Sequence, residues 1–201
     1  MMPMAIESRV GVTLEEARGL VPKARKVADQ YPDDPAVLTA LAEAEFDAGN
    51  DDAAIAAADR ALAIDPKQIN ARIQKGYALG RKVRSGTLPN ESWKDVRIEF
   101  LKANKIENDH PVPFVQFYLG YLAQNQPPTR NAIDGLERAM ELAPFDASVR
   151  WLVAQQMVSD KRFKEAAQTL APLAYSPHPD EHADMARKLL KDVEARLEES
   201  Q

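Results

Sequence analysis

Apolar residues recur at helical spacing from one end of this chain to the other. In FVQFYLGYLAQ (114–124), Phe114, Phe117, Tyr118 and Tyr121 fall three and four apart, the period of one face of an α-helix. The tail PDEHADMARKLLKDVEARLEES carries Met185, Leu189, Val193 and Leu197 four apart with charges elsewhere, which predicts a terminal helix with one apolar stripe and one wet face. Near the start, TLEEARGLVPKARKVADQYP (13–32) sets Thr13 three residues before Glu16, a capping-box pattern that predicts a helix, with Pro22 expected to kink it.

Between these ends the pattern repeats. PAVLTALAEAEFDAGNDDAAIAAADRALAIDPKQ (35–68) aligns without gaps on PFVQFYLGYLAQNQPPTRNAIDGLERAMELAPFD (113–146), both 34 residues long. Leu and then a small residue stand at places 7 and 8 (Leu41-Ala42, Leu119-Gly120), Ala at 20 (Ala54, Ala132) and 27 (Ala61, Ala139), and Pro at 32 (Pro66, Pro144). Small residues at places 8 and 20 let two antiparallel helices approach within a unit, and the one at 27 admits the next helix. Gly49-Asn50 is a C-cap signal between the two helices, and the Pro ends the second.

Two further stretches follow the same register less closely. Residues 69–112 place Gly76 at 8, but Val96, Phe100 and Ala103 reach places 20, 24 and 27 only after eight extra residues, SGTLPNES (85–92). Residues 147–178 place Ala154 at 8 and Ala166 at 20, with Leu170 and Leu173 further on, and read as a degenerate fourth unit.

This pattern resembles the tetratricopeptide repeat. The resemblance implies an all-α, right-handed solenoid of about four helix-turn-helix units over 1–201 as one domain. Its parts are an N-terminal helix (13–32), units at 35–68, 69–112, 113–146 and 147–178, and a C-terminal capping helix (179–198). It further implies a concave groove lined by first helices at places 2, 5, 9 and 12. In this register that set holds Ile73 and Tyr77, then Phe114, Phe117, Tyr121 and Gln124, then Trp151 and Gln155 beside Ser148 and Val158. Tyr118 and Leu119 are expected to pack inward. Tyr77, Phe117, Tyr121, Trp151 and Gln155 are the expected contacts for a peptide or protein segment, with Arg81 as an edge cation. The cations of the chaperone-tail carboxylate clamp are missing: the comparable places hold Thr39, Glu43, Gln74, Phe114 and Tyr118.

Composition supports a helical, globular chain. Hydrophobic residues make up 45% of 201, charged residues 28%, and Gly only 8 positions. With no Cys there is neither a disulfide nor a thiolate metal site. No apolar run reaches the roughly 20 residues of a membrane span, and MMPMAIESRVGV has neither a basic n-region nor a long apolar stretch. A chain beginning at Met1 is therefore expected in the cytoplasm. The alternative expectation is a repeat tail of a larger bacterial, peptidase-like envelope enzyme, recruiting substrate or partner in the periplasm; PLAYSPH carries that loose likeness.

Charge is uneven: six Lys and Arg against thirteen Asp and Glu give −7 over 1–66, ten against five give +5 over 67–112, and ten against thirteen give −3 beyond. The basic middle, with Tyr77 and Trp93 as stacking candidates, is the best case for nucleic acid, but helical spacing scatters its cations over several faces and acids interleave. HPDEH (178–182) spells an inverted zinc-peptidase motif, yet Pro179 suits a helix start that separates the two imidazoles. No phosphate loop and no Ser-His-acid set can be assembled, so a non-enzymatic interaction scaffold is expected, with no cofactor and no metal.

Overall fold

The computed structural model describes residues 12–177 and 181–199. The helices are α1 (Leu14–Gln30), α2 (Pro35–Asp47), α3 (Asp51–Ile64), α4 (Ile69–Arg84), α5 (Trp93–Ile106), α6 (Pro111–Ala123), α7 (Arg130–Leu142), α8 (Ala147–Ser159), α9 (Phe163–Ala174) and α10 (Glu181–Glu198). A 3-10 turn, Asn90–Ser92, precedes α5, and no strand occurs among the described residues. The fold is all-α, a series of helix pairs of the solenoid class.

Local chemistry sets the helix ends. Thr13 and Glu16 form the expected capping box: the Thr13 hydroxyl accepts from the Glu16 N–H at 3.2 Å, and the Glu16 carboxylate accepts from the Thr13 N–H at 2.7 Å. Asp34 caps α2 through the N–H groups of Ala36 and Val37, and Asp146 caps α8 through those of Ser148 and Val149. Gly49 closes α2 at φ +87°, in the left-handed region that glycine enters without strain. α1 runs through Pro22.

Chain contacts divide the protein into two compact units. The first holds the residues up to Asn108 with Leu119–Pro127; the second holds Asp109–Tyr118 with the residues from Pro128 onward.

In the first unit α2 packs on α3, α3 on α4, and α4 on α5, while α1 packs on α2. The small places do what the repeat register requires. Ala42, Ala58 and Ala61 are fully buried in one cluster with Leu38 and Leu41. A methyl group on Gly76 would lie 2.7 Å from the Phe100 ring, so the glycine is what lets α4 and α5 meet.

The charge asymmetry becomes cross-helix pairing in this unit. Lys75 bonds Asp59 at 2.6 Å, Arg81 bonds Asp51 at 2.6 Å, and Lys82 pairs with Asp52, so cations of α4 meet acids of α3. Glu99, buried, is held by Arg72 at 3.0 Å and Lys102 at 3.1 Å. Half of the ten cations of the basic middle thus meet neighbouring acids, and Trp93, offered above for stacking on bases, is buried with Arg84 over its ring.

In the second unit α8 packs on α9, and α10 lies along α9 with a smaller contact to α8. Ala183, Ala186, Leu190 and Val193 are the buried side of α10. The stripe expected from spacing is therefore rotated: Val193 is buried, but Met185, Leu189 and Leu197 are only half-buried, because two alanines admit the backbone of α10 close to α9.

Candidate functional site

First helices carry the expected contact residues, and each unit presents its own set. In the first unit, Tyr77 of α4 stacks on Phe46 of α2 with ring centroids 5.7 Å apart and meets Phe100 of α5 edge-on at 5.7 Å. Burial of its ring pushes the Tyr77 phenol up to about 12, because the phenolate would lose hydration. No hydrogen-bond partner for that hydroxyl lies among the described residues, although the ring itself is only half-buried.

Arg81, expected as an edge cation, is instead an internal clamp. Its guanidinium sits 3.9 Å above the Phe46 ring, donates to the Phe46 carbonyl at 2.6 Å, and pairs with Asp51. Desolvated on one face and bonded on its edge, it fixes the end of α2 against the start of α3. Ile73 is likewise buried, at 6% exposure, so it supports the face rather than forming it.

The loop at 85–92 also has a structural part. The Asn90 carbonyl accepts from Gln124 at 3.3 Å, and the Gln124 carbonyl oxygen accepts from Arg97 at 2.7 Å. Arg97 donates as well to the Gly120 carbonyl at 2.9 Å and lies 4.3 Å over the half-buried Tyr121 ring. Arg97 lies in the basic stretch 67–112, and its signal in the sequence is an Arg one helix before an aromatic first helix.

In the second unit the expected groove residues divide. Phe117 and Trp151 are each 7% exposed, which corrects the expectation of open aromatic faces: a ring on a first helix is covered wherever neighbouring helices close over it. The Trp151 indole N–H is buried without a partner. Phe114 is half-buried, lying against Gly135, where an added methyl group would stand 3.0 Å from the ring. Gln155 is exposed as expected.

Tyr118 is buried as expected and starts a polar relay that sequence reasoning missed. Its hydroxyl donates to Gln156 at 2.8 Å, and the Gln156 amide donates to Asp160 at 3.0 Å. Burial, and then the Asp160 charge, push the Tyr118 phenol up to about 12. Of the zinc-like motif, His178 and Pro179 lie outside the described residues; the His182 ring is 3.5 Å from the Ser148 hydroxyl.

No helix among the described residues is long and apolar enough to cross a membrane. Comparison with known proteins agrees with the helix pairing. Residues 35–78 match the family model described as tetratricopeptide repeat. No curated protein matches the sequence. Among solved structures, the chain is similar to YrrB, a tetratricopeptide protein with an unusual peptide-binding site, with 20% identity and a TM-score of 0.65 over 85% of this chain and 86% of that one. It is also similar to a thermophilic tetratricopeptide protein of Thermus thermophilus (16%, TM-score 0.63, 90% and 91% covered). A third is pilF of Pseudomonas aeruginosa (16%, TM-score 0.64, 92% and 89% covered). The register of small residues, the helix pairs they build and the family match over 35–78 agree on helix pairs of the tetratricopeptide type, the fold that these solved structures share.

Proposed function

We propose that this protein is a non-catalytic interaction scaffold that holds a peptide or protein segment on the first-helix faces of its repeats. The observation that carries the reading is Tyr77: a ring fixed between Phe46 and Phe100 and a hydroxyl left without an internal partner among the described residues. A half-buried donor of that kind gains most from a backbone carbonyl brought to it, since it is already desolvated and held still. Tyr121 and Gln124 in the first unit, and Phe114 and Gln155 in the second, are the other proposed contacts. Ile73, Phe117, Trp151 and Arg81 act beneath them as the frame. Likeness of fold to YrrB, which has a peptide-binding site, supports the reading. Internal pairing takes Arg72, Lys75, Arg81, Lys82 and Lys102 away from a phosphate backbone, half of the ten cations in the basic stretch, which favours a protein partner over nucleic acid.

The test is peptide capture from a displayed library, followed by Tyr77→Phe, which keeps the ring and removes only the hydroxyl. Affinity for the selected peptide should fall about fivefold, as expected for one lost hydrogen bond, with the melting temperature unchanged. Equal affinity in the variant, or steeply salt-dependent binding of single-stranded RNA by the wild type, would count against the proposal.

A further inference from the structure

Every complete repeat buries the same three places of its second helix. Places 20, 24 and 27 are Ala54, Ala58 and Ala61 in α3, Val96, Phe100 and Ala103 in α5, Ala132, Leu136 and Ala139 in α7, and Ala166, Leu170 and Leu173 in α9. None of these is more than 9% exposed. In the first two repeats the first helix of the same repeat packs over them. Ala58 and Ala61 pack with Leu38, Leu41 and Ala42 of α2, Ala54 packs with Phe46, and Phe100 lies on Gly76 of α4.

α1 breaks the rule. Setting Pro32 over Pro66 brings Leu20, Ala24 and Val27 to places 20, 24 and 27. Leu20 is 56% exposed, Val27 is 36% exposed, and Ala24 is half-buried. The opposite side of α1, with Ala17, Val21 and Ala28, is buried, as the side of a second helix that meets the following repeat should be. α1 is therefore a second helix whose first helix is missing among the described residues.

An open apolar trough of about 290 Å³ runs along this uncovered side. Leu20, Ala24 and Val27 of α1 face Val37, Ala40 and Leu41 of α2 across it, with Lys23 at the rim. A smaller continuation of about 120 Å³ runs past Val12 and Ala17 to Glu43 and Asp47. The residues ahead of α1 do not spell a first helix. Where α2 places Leu38, Leu41, Ala42 and Glu45 (places 4, 7, 8 and 11), they offer Met4, Glu7, Ser8 and Gly11.

We propose that this trough is a docking seat for an amphipathic helix of a partner protein, which takes the position of a first helix and completes the repeat that α1 begins. A guest that runs parallel to α2, as a first helix of the same series does, brings its N-terminal half beside Lys23. The trough thus selects a guest with a Leu/Ala stripe at i, i+3, i+4 and i+7 and acid in its first turn. Acid at that end also suits a helix dipole, so guest stability and seat complementarity agree. The seat is separate from the first-helix faces that hold the peptide in the reading above.

A fluorescent synthetic helix of about 16 residues, long enough to keep helical structure alone, is the probe. It carries Leu, Leu, Ala and Leu at places 4, 7, 8 and 11, with Glu first and Lys last; its control has the stripe scrambled. Anisotropy with the full chain should show saturable binding of the probe alone. Leu20→Glu should weaken it about tenfold or more without moving the melting temperature, because that side chain already faces water. Lys23→Glu should weaken it about threefold and be rescued by a probe of reversed charge order. Tyr77→Phe should leave it unchanged, which separates this seat from the peptide face. Equal binding of the scrambled control, or indifference to Leu20→Glu, overturns the proposal. So does a rise of about tenfold in Ile6→Glu, which gives the trough to the chain's own leading residues, or a dimer in sedimentation that Leu20→Glu dissolves, which gives it to a second copy.

Discussion

At its N-terminal end the described chain shows solvent Leu14, Leu20 and Val27, whereas at its C-terminal end α10 shows solvent Asp184, Arg187, Lys188 and Lys191. The two helices follow the same repeat pattern, yet the sides they turn to solvent differ in chemistry. A repeat buries one side within its pair and the other against its neighbour, so each terminal helix has one side with no neighbour. On α10 the exposed side is charged and meets water at little cost, whereas on α1 it is apolar and spaced like an interior place. An end can therefore be read as closed or open from residue type at repeat places, once exposure shows which places lack cover.

The strongest way to break this contrast is to truncate one leucine at each end. Leu170→Ala, at a fully buried place of α9, should cost about 3 kcal/mol in chemical denaturation, the sum of lost transfer and a cavity. Leu20→Ala should cost less than about 0.5 kcal/mol, because the side chain is largely in solvent already. Similar losses for the two would mean that the N-terminal trough is covered in the free protein.

Close helix approach is common to the interior repeats and can be probed next. Gly76→Ala should cost about 2 kcal/mol, since its methyl group would stand 2.7 Å from a ring atom of the buried Phe100. Gly19→Ala on α1, where nothing lies within 4 Å, should instead be neutral or stabilising by about 0.5 kcal/mol. A reversed order of these two glycines would contradict the idea that α1 lacks a first helix.

α1 depends on its own cap more than an enclosed helix does. Thr13→Ala should cost about 1 kcal/mol, read as faster amide exchange confined to the first turns of α1. The smallest effect is acidic. Hydrogen bonds from the Thr13 N–H, and then from its hydroxyl, hold the Glu16 carboxyl below its ordinary 4.5. A depressed folded value means the contribution is present above the unfolded value and lost as pH falls through the folded one. Exchange in the first turn of α1 should therefore quicken below about pH 4 beyond its intrinsic trend; Thr13→Ala, which keeps the backbone donor and removes only the hydroxyl, should weaken that dependence, and Glu16→Gln should abolish it. α9 serves as the reference: Glu165 at its start is also held low, by Arg162, and its first turn should respond in the same direction.

Much of this molecule is written locally. The 34-residue register of small residues specifies the helix pairs, and Thr13, Asp34, Gly49 and Asp146 specify where helices begin and end, because capping and close approach depend on side chains only a few bonds or one repeat away. The period of the segment 113–146 and its neighbours is enough to place them on helices. It is not enough to say which ring faces water. Phe117 and Trp151 sit at places that the register turns outward, and Arg81 is a cation at a helix edge, yet burial and Asp51 claim them. Exposure depends on how closely neighbouring helices pack, a sum over many distant contacts that no single repeat encodes. The same sum left Leu20 and Val27 uncovered on α1: spacing alone gives them the pattern of core, and only the missing neighbour makes them surface.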